Sequence, residues 1–388
     1  MGKEDIMIKV GFIGAVSKEW MGGLNYFNNL LYALSAIEDK KIEAVVFVGK
    51  KTDDEIKNTF KKYAEVVEHS MFDRKSLYWF IWNITYKIFG SKYFLDVLLK
   101  KHNIQVLSHT KLYGLKYCKT VNWIPDFQHL HLPGMFSKKE IKSRNESYLE
   151  LIKKSDKIVL SSYDALKDFN IFTPEYIKKV AVLQFVSQPD NRYFQLNEAD
   201  KSVLLKKYNL EKDFFYIPNQ FWKHKNHKLV FESIKNLKDK QQEINVICTG
   251  YMNDYRNKKY INDIKVFVVK NNLEKNIKLL GLIDYKDVFS LIKFSKAVIN
   301  PSLFEGWSST VEECKSLGKN MILSDLDVHK EQSPSSVFFN RNNVKSLADV
   351  LANYDNIELN NQDVSSLELR TLKFGEKFQT TILDVIDA

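Results

Sequence analysis

Between Asn300 and Gly318 the chain sets two carboxylates, Glu305 and Glu313, on either side of the serines Ser308 and Ser309. The apolar run Ala297 to Ile299 ends at Pro301 and Gly306, and a helix-compatible run starts at the serines. The spacing predicts a strand, a turn and a helix N-terminus. Backbone N–H groups and the positive end of the helix suit such a turn to an anion. Glu305 in the turn can accept hydrogen bonds from hydroxyls, and a bidentate carboxylate such as Glu313 suits a vicinal diol. Phosphates together with hydroxyls describe a nucleotide sugar. Ser309 and Glu312 also fit a capping box, with Ser309 at the N-cap and Glu312 at N3.

The elements that must hold these groups are legible as an alternation. Short apolar runs at 8–13, 44–48, 106–108, 120–124, 157–160 and 180–185 are separated mostly by helix-like segments, and the pattern restarts at 214–217, 243–249, 277–280, 297–299 and 320–324. Alternation of this kind predicts mostly parallel sheets covered on both faces. The fold class expected is therefore α/β with two stacked sheets and a junction near Gln188 to Asn191. Ligands of such sheets bind beyond the carboxyl ends of the strands, which for two facing sheets is the interdomain cleft.

Size and composition agree. A chain of 388 residues exceeds one ordinary core,, and 44% apolar with 27% charged residues is usual for a globular protein,. The net charge of +10 is spread along the chain; without zinc-finger spacing or an aromatic RNA-binding strand it reads as solvated helix faces, not a nucleic-acid surface. Cys118, Cys248 and Cys314 are odd in number and far apart, which argues against a disulfide framework or a metal centre and for a reducing cytoplasm. The first strand begins at Ile8 with no signal-peptide pattern before it.

Three motifs in one order carry a resemblance. From Phe304-Glu305-Gly306-Trp307 through Glu313 the chain resembles the E-x7-E signature of retaining GT-B glycosyltransferases of family 4. Pro218-Asn219-Gln220-Phe221-Trp222-Lys223-His224-Lys225 after a strand of the second half, and Ile124-Pro125-Asp126-Phe127-Gln128-His129-Leu130-His131 after one of the first, look like members that build bacterial surface polysaccharides. The resemblance implies a GT-B architecture of two facing Rossmann-like domains. These are an acceptor domain over 1–190, a nucleotide-sugar donor domain over 191–365, and a C-terminal helix over 366–388 crossing back to the first.

It also implies roles. Glu305 lies by the donor sugar, Glu313 accepts from the ribose hydroxyls, and Lys225 meets the charge that develops on the leaving diphosphate. Gly306, Trp307, Ser308, Ser309 and Thr310 line the sugar and diphosphate, although Ser308 and Thr310 replace the usual glycine and proline. Gln220 stands where an arginine is usual, so Asn219, Gln220 or Lys223 must compensate. Gly250 and Leu282 border the nucleobase through backbone groups. Asp126, His129 and His131 offer first-domain groups toward donor or acceptor. The pair Gly22-Gly23 reads as a loop glycine pair before a helix starting at Leu24, with a tight turn or a close ligand approach as alternatives. Asp325-Leu326-Asp327 spells a metal-binding motif but follows the wrong strand, and its continuation to Gln332 reads as an ordinary loop. The resemblance implies no metal and no cofactor beyond the donor itself.

One stretch departs from the alternation. Residues 72–103 carry nine aromatics and six Lys or Arg against two Asp. The segment is too interrupted to span a bilayer. It either packs its rings on the sheet or lies on a membrane surface, with Arg74, Lys75, Lys87 and Lys92 toward anionic lipid. The expected partners are a nucleoside diphosphate sugar, a glycan or lipid-linked acceptor and this membrane surface on the inner face. A sugar-nucleotide epimerase of the same fold and a non-catalytic glycan- or membrane-binding module are the other readings.

Overall fold

A computed structural model of the chain describes residues 7–14, 21–90, 92–211, 213–254, 256–358 and 365–388. Two compact units result. One comprises Met1–Asp126, Lys138–Val186 and Ser366–Ala388; the other comprises Phe127–Ser137 and Ser187–Ser365.

The first unit is built on a sheet of seven strands, β1 (Ile8–Ile13), β2 (Ile42–Val48), β3 (Glu65–Glu68), β4 (Val106–Ser108), β5 (Lys119–Ile124), β6 (Lys157–Leu160) and β7 (Val180–Val182), in the order β3-β2-β1-β4-β5-β6-β7. All pairings are parallel. The second unit has β8 (Phe215–Ile217), β9 (Val246–Thr249), β10 (Ile277–Gly281), β11 (Val298–Asn300), β12 (Met321–Ser324) and β13 (Val337–Phe339), in the order β10-β9-β8-β11-β12-β13. These are parallel too. Helices on both faces explain why the central strands are near-continuous apolar runs, with no alternation of polar residues. Val246, Cys248, Ile299 and Ile322 face one core of the second unit, while Tyr216, Ile247, Val298 and Leu323 face the other.

The sequence pattern misses β3 and β13. Both are edge strands, where exposure on one side allows the charged ends of Glu-Val-Val-Glu or only three residues of strand. The Gly22-Gly23 pair is also placed differently. A helix spans Met21–Ser35, so both glycines stand in its first turn, where the backbone N–H groups lack helical partners anyway; residues 15–20 lie outside those described. The C-terminal helix Leu367–Ile386 belongs to the first unit and buries Phe374, Phe378, Ile382 and Val385. Gly375 permits this, because a Cβ there would lie 2.5 Å from the carbonyl oxygen of Ala33.

Residues 72–103 form helices Leu77–Phe89 and Tyr93–Lys101. Ser76 caps the first by accepting from Trp79 N, and Gly90 closes it in the left-handed region. Met71, Leu95, Leu98 and Leu99 enter a core with Val45, Phe47 and Leu107. Leu77, Tyr78, Phe80, Ile84, Tyr93 and Val97 remain exposed. Lys92 does not face outward as the sequence reading has it: its ammonium donates to the Tyr113 carbonyl and lies against the Tyr86 and Tyr113 rings. The Lys87 side chain lies outside those described. Among the described residues no helix is long and apolar enough to cross a membrane.

Candidate active site

In the second sheet the strand order reverses between β8 and β11, and crevices beyond the carboxyl ends of such neighbouring strands are where open parallel sheets bind ligands. Lys225 follows β8 and Glu305 follows β11, so chain topology alone brings the two charges together. Lys225 Nζ lies 2.5 Å from Glu305 Oε1, with the side chains only 15% and 10% exposed. Ser302 Oγ donates to the same carboxylate oxygen at 2.6 Å. Burial by itself would raise the Glu305 carboxyl; the Lys225 ammonium, the His329 ring and the hydrogen bonds from Lys225 and Ser302 outweigh it and bring the pKa down to about 2. His329 is fully buried, with Nδ1 2.9 Å from the Ser324 carbonyl oxygen, and burial lowers its pKa.

A ladder of short polar side chains fixes the turn around this pair. Asn219 Nδ2 donates to Asn300 Oδ1 at 3.3 Å, Asn300 Nδ2 to Ser308 Oγ at 2.9 Å, and Thr310 Oγ1 to Asn219 Oδ1 at 3.4 Å. The buried side chains of Asn219, Ser308 and Thr310 are thus linked through Asn300. Its helix spans Ser309–Ser316 with Ser308 at the N-cap, accepting from Val311 N. The capping box expected at Ser309 and Glu312 does not form, and Ser309 is exposed. Glu312, 1% exposed, instead accepts from Gln332 Nε2 at 3.0 Å and Lys315 Nζ at 2.9 Å. Gln332 also donates to Ser308 O and accepts from Ser308 N. The stretch leading to it is a helix, Asp327–Gln332, where the sequence suggests a loop.

Glu313 sits further along the same helix, 8% exposed, with the Tyr285 hydroxyl donating to Oε1 at 3.3 Å. Burial raises its carboxyl to about 7 against the opposing pull of that hydroxyl. Nearby strand ends are joined backbone to backbone: Gly250 N donates to Gly281 O, and Phe221 N to Tyr251 O. Gly250 has φ +136° and a Cβ there would lie 2.4 Å from the Asn219 carbonyl oxygen, so only glycine fits. Leu282 and Tyr251 stand exposed at these ends.

The remaining sequence-selected residues divide. Gly306 and Trp307 are half-buried in the turn, Lys315 Nζ lying 5.9 Å from the Trp307 ring centroid. The Gln220 and Lys223 residues are exposed, and Lys223 N donates to Asp254 Oδ2. His129 and His131 lie on the Phe127–Ser137 segment of this unit. His129 is buried, edge-on to Phe136; His131 is exposed, its ring centroid 5.0 Å from that of Phe304. Asp126 ends the preceding part of the first unit, half-buried, with its carbonyl accepting from the Tyr148 hydroxyl. Gly22 and Gly23 also belong to the first unit. Asp325 accepts from Arg341 Nη1 at 3.1 Å, and among the described residues no group of three or more His, Cys, Asp or Glu could hold a metal ion.

Sequence reasoning misses Tyr285, His329, Gln332, Asp254 and Arg256. They come from three places, the helix Tyr285–Phe294, the helix Asp327–Gln332 and the loop after β9, and carry no motif spacing of their own.

Residues 200–362 match the family described as Glycosyl transferases group 1. No curated protein matches the chain by sequence. Among solved structures, a glycosyltransferase from Rickettsia africae is similar at 15% identity and a TM-score of 0.62, over 98% of this chain and 94% of that one. Anabaena HepE in complex with UDP and glucose is similar at 13% and 0.64, over 98% and 99%. The lipopolysaccharide outer core galactosyltransferase WaaB is similar at 14% and 0.61, over 97% and 99%. The two parallel sheets share the GT-B fold of these structures, with two Rossmann-like domains.

Proposed function

We propose that this chain, whose group 1 domain and GT-B fold make it a glycosyltransferase, moves a sugar from a nucleoside diphosphate donor to a glycan or lipid-linked acceptor, with retention of configuration, in bacterial surface polysaccharide or glycoconjugate synthesis. One observation carries the reading: Glu305 and the buried Glu313 stand on the strand-turn-helix that follows β11, and Lys225, in the turn after the neighbouring β8, pairs with Glu305 at the switch point of the second sheet. Lys225 faces the diphosphate charge that grows as the glycosidic bond breaks. Glu305, ionised, accepts from hydroxyls of the transferred sugar, and Glu313 from the ribose. Retention needs no protein nucleophile here. The departing phosphate takes the proton of the acceptor hydroxyl on the face where the new bond forms. In this reading Lys225 and the helix N-terminus take the part of a divalent ion, as expected of a metal-independent family 4 enzyme. HepE, a neighbour in fold, was solved with UDP and with UDP-glucose, which puts uridine first among donor bases, and WaaB supports a surface-polysaccharide acceptor.

A thermal-shift panel of UDP, GDP, ADP and CDP without added metal tests the reading. A ligand at about 100 times its dissociation constant stabilises by about 2.7 kcal/mol, so one of the four is expected to raise the midpoint clearly. No shift with any of them contradicts a donor site.

The exposed Leu77, Tyr78, Phe80 and Ile84 on one helix, with Arg74 and Lys75 exposed just before it, support peripheral attachment to the inner face of the plasma membrane, where a lipid-linked acceptor would be met. Co-sedimentation with phosphatidylglycerol vesicles is expected for the parent protein and to fall by about tenfold in Leu77→Asp/Ile84→Asp, as befits loss of two buried apolar side chains. Equal sedimentation of both would remove the membrane from the proposal.

A further inference from the structure

Beside the Lys225–Glu305 pair, a second cluster joins two loops of the same unit to the Phe127–Ser137 segment. Asp254, 3% exposed, accepts from Lys223 N at 3.0 Å and from Arg256 N at 3.1 Å. The loop after β9 is thereby tied to the turn that carries Lys225. The Arg256 side chain, 12% exposed, lies with its guanidinium carbon 5.4 Å from the Trp222 ring centroid and 5.4 Å from that of Phe136. Its Nη1 donates to Gln128 Oε1 at 3.1 Å, and Nη2 lies 3.4 Å from His224 Nδ1. Gln128 and Phe136 are near the two ends of the segment, and His131 between them meets Phe304, the residue before Glu305.

A guanidinium withdrawn this far from water is costly unless its donors and faces are used. Here one face or edge meets each ring, and the fork reaches the segment's glutamine. A lysine would reproduce neither the planar contact nor the fork.

We propose that Arg256 is a positioning residue: it seats the Phe127–Ser137 segment on the Lys223–Lys225 turn and so holds His131 beside the glutamate turn, contributing to turnover and not to donor affinity. The contribution to turnover rests on the reading of Lys225 and Glu305 as the donor site. The seating itself does not.

Two measurements separate these. Hydrogen exchange read by mass spectrometry on peptides covering 127–137 is expected to quicken by about tenfold or more in Arg256→Gln and Arg256→Lys, as for a segment that loses its local anchorage, with peptides of β8 and β11 unchanged. Unchanged exchange overturns the seating. Release of UDP from UDP-glucose is then expected to show kcat lowered by about tenfold or more, since small misplacements cost turnover heavily, while the UDP dissociation constant stays within about twofold. A dissociation constant weakened as much as kcat places Arg256 on the diphosphate and overturns the positioning role; kcat unchanged overturns it as well. A parent protein that binds no nucleoside diphosphate refutes the donor site, while the exchange experiment still decides the seating. Should Arg256→Gln fail to fold, Gln128→Ala and Phe136→Leu leave the Asp254 tie intact and are expected to give the same two changes.

Discussion

Lys225→Ala is expected to lower kcat by about two to three orders of magnitude, the usual loss when a charge-stabilising group is removed from a transition state, and to destabilise the fold as well. The second effect comes from what is left behind. Glu305 is only 10% exposed, and with the ammonium gone burial is opposed only by Ser302 and the neighbouring His329. Removing one partner of a buried pair costs about 3–5 kcal/mol, and the residual exposure of this pair places the expected loss at the lower end, about 3 kcal/mol. The pH dependence has a definite sign. In the parent protein the folded pKa of Glu305 is about 2, below that of an unfolded glutamate, so its contribution to stability is present above the unfolded value and lost as pH falls through the folded one. In Lys225→Ala the folded value rises and that contribution disappears at neutral pH. Adding Glu305→Gln removes the stranded charge, so the double variant is expected to regain stability without regaining turnover. Denaturant unfolding beside kcat checks both halves. A double variant as unstable as the single one would show that the ion pair is not the source of the effect.

The affinity for nucleoside diphosphate is expected to rise as pH climbs through about 7, and Glu313 is the reason. Its carboxyl is pushed up to about 7 by burial, with the Tyr285 hydroxyl as opposing partner. Because the folded pKa lies above the unfolded one, the group favours the unliganded fold at low pH, and that advantage is lost as pH rises from the unfolded value through about 7. A ribose diol donates to a carboxylate and meets only part of that acceptor capacity in a protonated acid, so the ligand takes over where the empty site becomes strained. Binding of the diphosphate should strengthen by about tenfold between pH 6 and pH 8 on the basis of one coupled proton. The 2′-deoxy nucleotide should show a weaker dependence, and Glu313→Gln little beyond that of the phosphate itself. Calorimetric titrations across this range measure it. An identical pH profile in Glu313→Gln would mean that the carboxylate does not meet the ligand.

The α/β fold was legible because strands covered on both faces cannot hide their apolar runs: β1, β2, β9 and β12 all announce themselves. The edge strands β3 and β13 do not, since half-exposed backbone tolerates Glu65 and Glu68 at the ends or a run of three residues. Helix starts were blurred for a related reason. Ser308 and Ser309 are both good caps, and the choice between them falls to tertiary contacts, Asn300 on one side and Gln332 on the other, which no local pattern contains. At the candidate site, Lys225 and Glu305 are charged groups in turns that follow strands, and Glu313 is marked by its spacing from Glu305. Tyr285, Arg256 and His329 gain their meaning only from what folding places against them: a buried carboxylate, two aromatic rings, a paired glutamate. The anomalous aromatic content of 72–103 was visible as composition, while the sharing of its rings between core and surface depended on helix rotation, which aromatic residues on all sides of Leu77–Phe89 leave open.

The central claim is that the second unit holds a nucleoside diphosphate through Lys225, and one comparison addresses it most directly. Calorimetric titration of the parent protein and of Lys225→Met would use the diphosphate favoured in the thermal panel and its parent nucleoside, which lacks phosphate. The expected result is a loss of about 100-fold in diphosphate affinity, the scale of one charge-assisted contact in a buried site, with nucleoside affinity unchanged. Equal affinities of parent and variant for the diphosphate, or an equal loss for both ligands, would contradict the account.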